Sequence, residues 1–200
     1  MLGEACCVRR AWWWAVVLGA LGVAAAGALS LGERAASNDN APVPLAEQPK
    51  VGDKAPDFET KTLDGKVFHL AEAEGPVLLV FFAPWCPPCN TEAPHLQELH
   101  EEYAKQGLHL IAVAVSTTLK QLNEFRKKYG VTYPIGFDER NNDTARAYGV
   151  RYIPSTFMIE HTGEISGTWV GFSPGKTSEE VKQAVEQALE KYARAKQSEK

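Results

Sequence analysis

FFAPWCPPCNTEAP, residues 81–94, is the stretch on which the reading of this chain turns. The residues just before it, PVLLV at 76–80, extend an apolar run that is short and unbroken, the pattern of a strand buried on both faces. The strand ends at Phe82, a turn containing Pro84 follows, and Cys86 falls where the next helix, predicted over residues 86–106, begins. A sulfur at a helix N-terminus feels the positive end of the peptide dipoles, which favours the thiolate. Cys89 comes one turn later on the same side, close enough to close a disulfide. The pair reads as a redox centre, with Cys86 the exposed attacking thiolate and Cys89 the more buried resolving thiol. Exchange needs both roles, because a mixed disulfide must be broken from within.

Two plainer readings compete. A static disulfide closes so short a loop that it constrains the unfolded chain little. Half of a zinc site would need further ligands. The five histidines, His69, His95, His100, His109 and His161, are scattered without paired spacing.

Pro87 and Pro88 fit the first turn of a helix, where amide donors are orphaned in any case. Together they remove two N–H groups from the neighbourhood of the Cys86 sulfur and bring no charge. A thiolate with less support implies a lower reduction potential, hence a reductant. On the predicted helix the apolar stripe is Cys89, Leu96, Leu99 and Tyr103, and Glu92 lies on it. A carboxyl there is desolvated, its pKa rises, and it suits proton exchange with Cys89. An exposed glutamate favoured by the first-turn dipole is the equal alternative on spacing alone, since Pro94 is expected to kink the helix and turn the lower stripe. Pro154 follows Ile153 at the start of an apolar run, a strand-end or edge position where a cis peptide is possible.

Around this centre strand and helix periods alternate. Expected are a hairpin (58–62 and 67–70, turning at Asp64-Gly65), strands at 76–82, 108–115, 133–137 and 153–159, and a second hairpin strand at 164–170. Helices are expected at 86–106, 119–129 with a stop at Gly130, 142–148, and 177–195. This is an α/β, three-layer plan.

Upstream, Arg9 and Arg10 precede an uncharged run at 11–31 that opens with Trp12, Trp13 and Trp14. That length matches a span of roughly 20 residues, and the flanking arginines place the remainder outside the cytoplasm. A cleaved signal peptide is the rival, with small residues at Ala26-Gly27-Ala28. The expected organisation is a cytoplasmic segment (1–10), an anchor or signal (11–31), a flexible linker (32–50), one domain (51–195) and a charged tail (196–200). Of four cysteines, Cys6 and Cys7 precede the apolar run, which leaves Cys86 and Cys89 as the exported pair. With 23 % charged residues and a net charge of −4, the chain lacks the basic field that nucleic acid requires.

The ordered series VGDKAPDF (51–58), LDGK (63–66), FFAPWCPPC (81–89), Glu92 with Pro94, YGVRYIPSTFMI (148–159) and HTGEI (161–165) resembles the exported TlpA/ResA/CcmG-like thiol–disulfide oxidoreductases of the thioredoxin fold. The resemblance covers residues 51–195. It implies a mixed sheet flanked by helices with an N-terminal hairpin and a central insertion over 116–148, and no cofactor. It implies that Cys86 attacks and Cys89 resolves, that Pro154 is cis against the disulfide, and that Ile153 presents its backbone to the substrate. Trp85, Pro87 and Pro88 would share that substrate-facing surface, and Glu92 would stand beside the active site. The implied partners are disulfide-bearing exported proteins, such as apocytochrome c or copper-site proteins, and a membrane thiol carrier as electron donor; the protein itself is expected to be monomeric. Two other functions are considered. A thiol peroxidase needs a Thr or Ser three residues before its nucleophile, where Cys86 has Ala83. A Cu(I)-handling module would use the two thiolates, with Met158 the sole methionine beyond Met1.

Overall fold

A computed structural model describes residues 44–138 and 142–198. The expected anchor or signal at 11–31, and Cys6 and Cys7, lie outside the described residues.

Seven strands form one mixed sheet: β1 (Glu59–Thr62), β2 (Val67–His69), β3 (Val77–Phe82), β4 (His109–Ala114), β5 (Ile135–Phe137), β6 (Ser155–Ile159) and β7 (Ile165–Val170), in the order β2-β1-β5-β4-β3-β6-β7. β4 runs parallel to both β3 and β5, while β3–β6, β6–β7, β1–β2 and β1–β5 are antiparallel. β3 is an interior strand between β4 and β6 with all six residues buried, as its unbroken apolar sequence requires.

Successive β3 side chains point to opposite faces. Phe82 meets Phe125 of α2 (Leu119–Tyr129), whereas Phe81 packs against Phe157 and Tyr148 on the other side. The two parallel crossovers, through α1 (Pro87–Tyr103) and α2, step the same way across the sheet, so right-handedness puts both helices on one face. α4 (Lys176–Ser198) packs beside α1, and the short α3 (Asp143–Ala147) leads into Tyr148 beneath the opposite face.

The helix limits follow local chemistry. α2 begins at a reciprocal cap between Thr118 and Gln121 and ends at Gly130 in the left-handed region, φ 63°. α1 is shorter than the 86–106 expected: it closes at Tyr103, and a 3₁₀ turn over Ala104–Gln106 leads to Gly107 at φ 105°. It continues unbroken through Pro94. β6 starts at Ser155 rather than 153, because Pro154 has no N–H to give a ladder.

The expected flexible linker, 32–50, is corrected at its end. The Ala46 amide donates to the Arg146 carbonyl at 2.9 Å, so this part of the segment lies against the domain. Gly149 permits the approach. It sits at φ 61°, and a Cβ there would come within 2.5 Å of the Gln48 nitrogen.

Candidate active site

β3 delivers the chain to a tight turn in which the Cys86 amide donates to the Ala83 carbonyl at 3.1 Å. Cys86 is the N-cap of α1, with extended dihedrals, and its Sγ accepts the Cys89 amide at 3.3 Å. A disulfide joins Cys86 and Cys89, their Cα atoms 5.3 Å apart. Pro87 and Pro88 occupy the first helical turn, so neither adds a donor toward the sulfur. The Cys89 amide and the helix dipole are therefore the local support for a thiolate at Cys86.

The expected contrast in exposure is corrected. In the disulfide form Cys86 is 3 % exposed and Cys89 2 %, so accessibility does not separate them. Position does, because the Cys86 sulfur caps the helix while Cys89 lies on the buried face of the first turn. The exposed surface around the pair comes from Trp85, Pro87 and Pro88.

Trp85 is 56 % exposed and tied down by its indole N–H, which donates to the Ser116 carbonyl at 3.0 Å. Ser116 has a left-handed backbone, φ 47°, as does Asn142, φ 59°. The two hold each other: the Ser116 amide donates to Asn142 Oδ1 at 2.9 Å, and Asn142 Nδ2 donates to Ser116 Oγ at 3.2 Å. The Ile153–Pro154 peptide is cis. It brings the Ile153 carbonyl oxygen to 3.6 Å from Cys86 Sγ. Ile153 is half-buried, Pro154 is buried, and Tyr152 beside them is strongly exposed. A cleft of about 470 Å³ opens next to the disulfide, with Trp85, Ser116, Ile153, Arg151 and Leu45 in its walls.

Glu92 lies beneath. It is 2 % exposed and follows Cys89 by three residues on the face that also buries Ala93, Leu96, Leu99 and Tyr103. Thr156 of β6 donates its hydroxyl to Oε1 at 3.2 Å, and Oε2 has no hydrogen-bond partner. Burial pushes the carboxyl up to about 7, against a smaller downward pull from the Thr156 hydroxyl. Of the two readings of Glu92 left by the spacing, the buried one describes the molecule.

The expected residues Trp85, Cys86, Pro87, Pro88, Cys89, Glu92, Ile153 and Pro154 thus converge on one end of the β3–β6 pair. Reading the sequence missed Thr156, Ser116, Asn142, the cleft residues Leu45 and Arg151, and the exposed Tyr152 beside the cis peptide. For Thr156 a signal existed: a hydroxyl two residues after Pro154, inside a run otherwise fit for the core.

The AhpC/TSA family profile matches residues 51–168. The thiol-disulfide oxidoreductase ResA of Geobacillus thermodenitrificans is 36 % identical over 137 residues, covering 68 % of this chain and 76 % of that protein. Among solved structures, a thiol:disulfide interchange protein of the thioredoxin family from Chlorobium tepidum superposes with a TM-score of 0.61 at 29 % identity, over 72 % of this chain and 99 % of that one. StoA from Bacillus subtilis superposes at 0.57 with 26 % identity, over 65 % and 96 %. In sequence and in topology, then, the chain belongs to the AhpC/TSA family, with the thioredoxin fold.

Proposed function

We infer that this protein is a thiol–disulfide oxidoreductase that reduces disulfides in exported client proteins through Cys86 and Cys89. The observation that carries the reading is the placement of one cysteine sulfur as a helix N-cap with a buried carboxyl of raised pKa a turn behind the other. In the reduced protein the Cys86 thiolate attacks a client disulfide, and one client sulfur leaves as a thiolate. Cys89 passes its proton to Glu92 and attacks Cys86 Sγ. The bond to the client breaks and the second client sulfur departs. The client gains two electrons, the Cys86–Cys89 bond forms, and a membrane thiol carrier returns the electrons.

Trp85, Pro87, Pro88 and the Ile153–Pro154 backbone form the surface that meets the client. Supporting reduction is the first helical turn, where two prolines withhold donors from the sulfur and leave the thiolate, and so the dithiol, less stabilised. Export rests on the arginine-flanked apolar run at 11–31, which also supplies a membrane anchor, leaving 51–195 as the working domain. Clients of this chemistry include apocytochromes c and copper-site proteins, whose paired cysteines must be reduced before haem or copper can be attached. At the residue where a peroxidase would carry its hydroxyl, the fully buried Ala83 offers a methyl group.

Trapping tests the roles. Cys89→Ser is expected to accumulate mixed disulfides with clients and Cys86→Ser to form none; equal loss without trapping would overturn the assignment. A midpoint potential near that of thioredoxin, about −270 mV, supports reduction, whereas one near −120 mV would reverse the direction.

A further inference from the structure

The cleft of about 470 Å³ beside the disulfide has walls that are set before a client arrives. Trp85 and Ile153 belong to it, and the Ile153 carbonyl oxygen lies 3.6 Å from Cys86 Sγ, so whatever fills the cleft lies close to the reacting sulfur. Trp85 is held by Ser116, and Ser116 by Asn142. Leu45 adds a wall from the segment ahead of the domain. That segment is pinned where the Ala46 amide meets the Arg146 carbonyl, and Gly149 lets its backbone come in close.

Most polar groups in these walls are already committed. Ser116 and Asn142 hydrogen-bond each other, and Arg146 is engaged. Arg151 is the exception: it is exposed and forms no hydrogen bond or ion pair among the described residues. Among those residues no Asp or Glu lines the cleft, and Glu47, next in the segment to Leu45 and Ala46, is paired with Lys50 at 3.2 Å. Val115, Ala145 and Val150 make much of the remaining surface apolar. A guanidinium without an internal partner, at an apolar cleft, attracts a carboxylate from outside and can pair with it in bidentate fashion.

We propose that this cleft seats the client segment beside the attacked cysteine, and that Arg151 selects segments carrying an aspartate or glutamate there. The selection also rejects, since a lysine or arginine at the same place meets a like charge. It rests on the reading of Cys86 and Cys89 as the reductant of client disulfides and narrows the class of client to disulfides with acidic neighbours. The preference runs against the intrinsic chemistry. A thiolate free in solution attacks a disulfide flanked by carboxylates more slowly, because like charges repel, so a preference for acidic flanks has to come from the protein.

The probes are disulfide-linked peptide dimers with Glu, Gln or Lys at each of the two positions on either side of the cysteine. The reduced full-length protein cleaves each dimer to two thiol peptides and ends as the Cys86–Cys89 disulfide; second-order rates are taken relative to those of dithiothreitol. At one flanking position or more, Glu is expected to react about fivefold faster than Gln and Lys more slowly, the size of an exposed ion pair. That margin should shrink in about 0.5 M salt. Arg151→Gln should bring the Glu-to-Gln ratio to about one, Arg151→Lys should keep the order, and Arg151→Glu should favour the Lys peptides.

Equal rates or a reversed order in the wild type, or a Glu preference that survives Arg151→Gln, overturns the selection and leaves Cys86 and Cys89 as the exchanging pair. A protein that reduces none of the peptides also overturns the selection, and one that leaves a small neutral disulfide untouched as well overturns the exchange with it.

Discussion

Among the described residues two glutamates are buried, and they have been given opposite partners. Glu160, 8 % exposed at the far end of β6, forms an ion pair with Lys191 of α4 at 2.7 Å. Glu92, at the disulfide end, has the Thr156 hydroxyl. Each carries one oxygen with no hydrogen-bond partner. Burial alone therefore does not set a carboxyl's surroundings; its partner does. Glu160 has a cation for its partner, whereas at Glu92 a lone hydroxyl leaves the balance to desolvation, which favours the protonated form.

The largest expected effect is on rate. Glu92→Gln should slow the resolving step about 100-fold, the low end for a positioned acid–base group, and remove its pH dependence around neutrality. Stopped-flow kinetics across pH 5–9 checks this, and a profile that keeps its inflection would place the titrating group elsewhere.

Next comes stability. A carboxyl raised from 4.5 to about 7 on folding binds its proton more tightly in the native state. Below about pH 4.5 folded and unfolded chains are both protonated, and Glu92 adds no penalty. As pH rises toward 7 the unfolded chain ionises first, and the native state loses ground. Glu92→Gln should thus stabilise the disulfide form more at pH 8 than at pH 5, by about 2 kcal/mol. Denaturant melts at the two pH values measure it. An equal gain at both would mean the native carboxyl is not raised.

Lys191→Met sharpens the comparison from the other side. Removing the cation from the buried Glu160 carboxylate should cost about 1–2 kcal/mol of stability, less than breaking a fully buried pair because the Lys191 side chain is 56 % exposed. Exchange kinetics should not change, since Glu160 stands at the opposite end of β6; slower exchange would mean that the two ends communicate.

How much of this was legible in the sequence depends on how local the cause is. The buried strand, the paired cysteines and the extent of α2 follow from short-range pattern, and they agree with the structure. Of the two readings the stripe leaves open for Glu92, the inward one agrees with the structure, and the helix runs on through Pro94. Relations between distant segments were not legible. The Glu160–Lys191 pair joins a strand end to a helix 31 residues on. The Ser116–Asn142 clasp that seats Trp85 spans 26 residues and depends on two left-handed backbones that neither residue type demands. The docking of Ala46 beside Gly149 looks like linker composition until the domain beneath it is known. Exposure of Cys86 was misjudged for the same reason, since the backbone of a distant loop, Ile153, comes up against its sulfur.

The Cys86 sulfur also has a job in folding. Because it accepts an amide at the start of α1 while bound to Cys89, its contribution to the helix survives in the oxidised state, and a thiolate accepts that amide at least as well. Changing oxidation state therefore need not unravel the first turn. The knockouts should differ accordingly: serine, a good cap, should leave the domain about 1 kcal/mol more stable than alanine, though both are inactive. One atom serves as reagent and as structural pin, and thermal melts of the two inactive variants would weigh the second duty with the first removed.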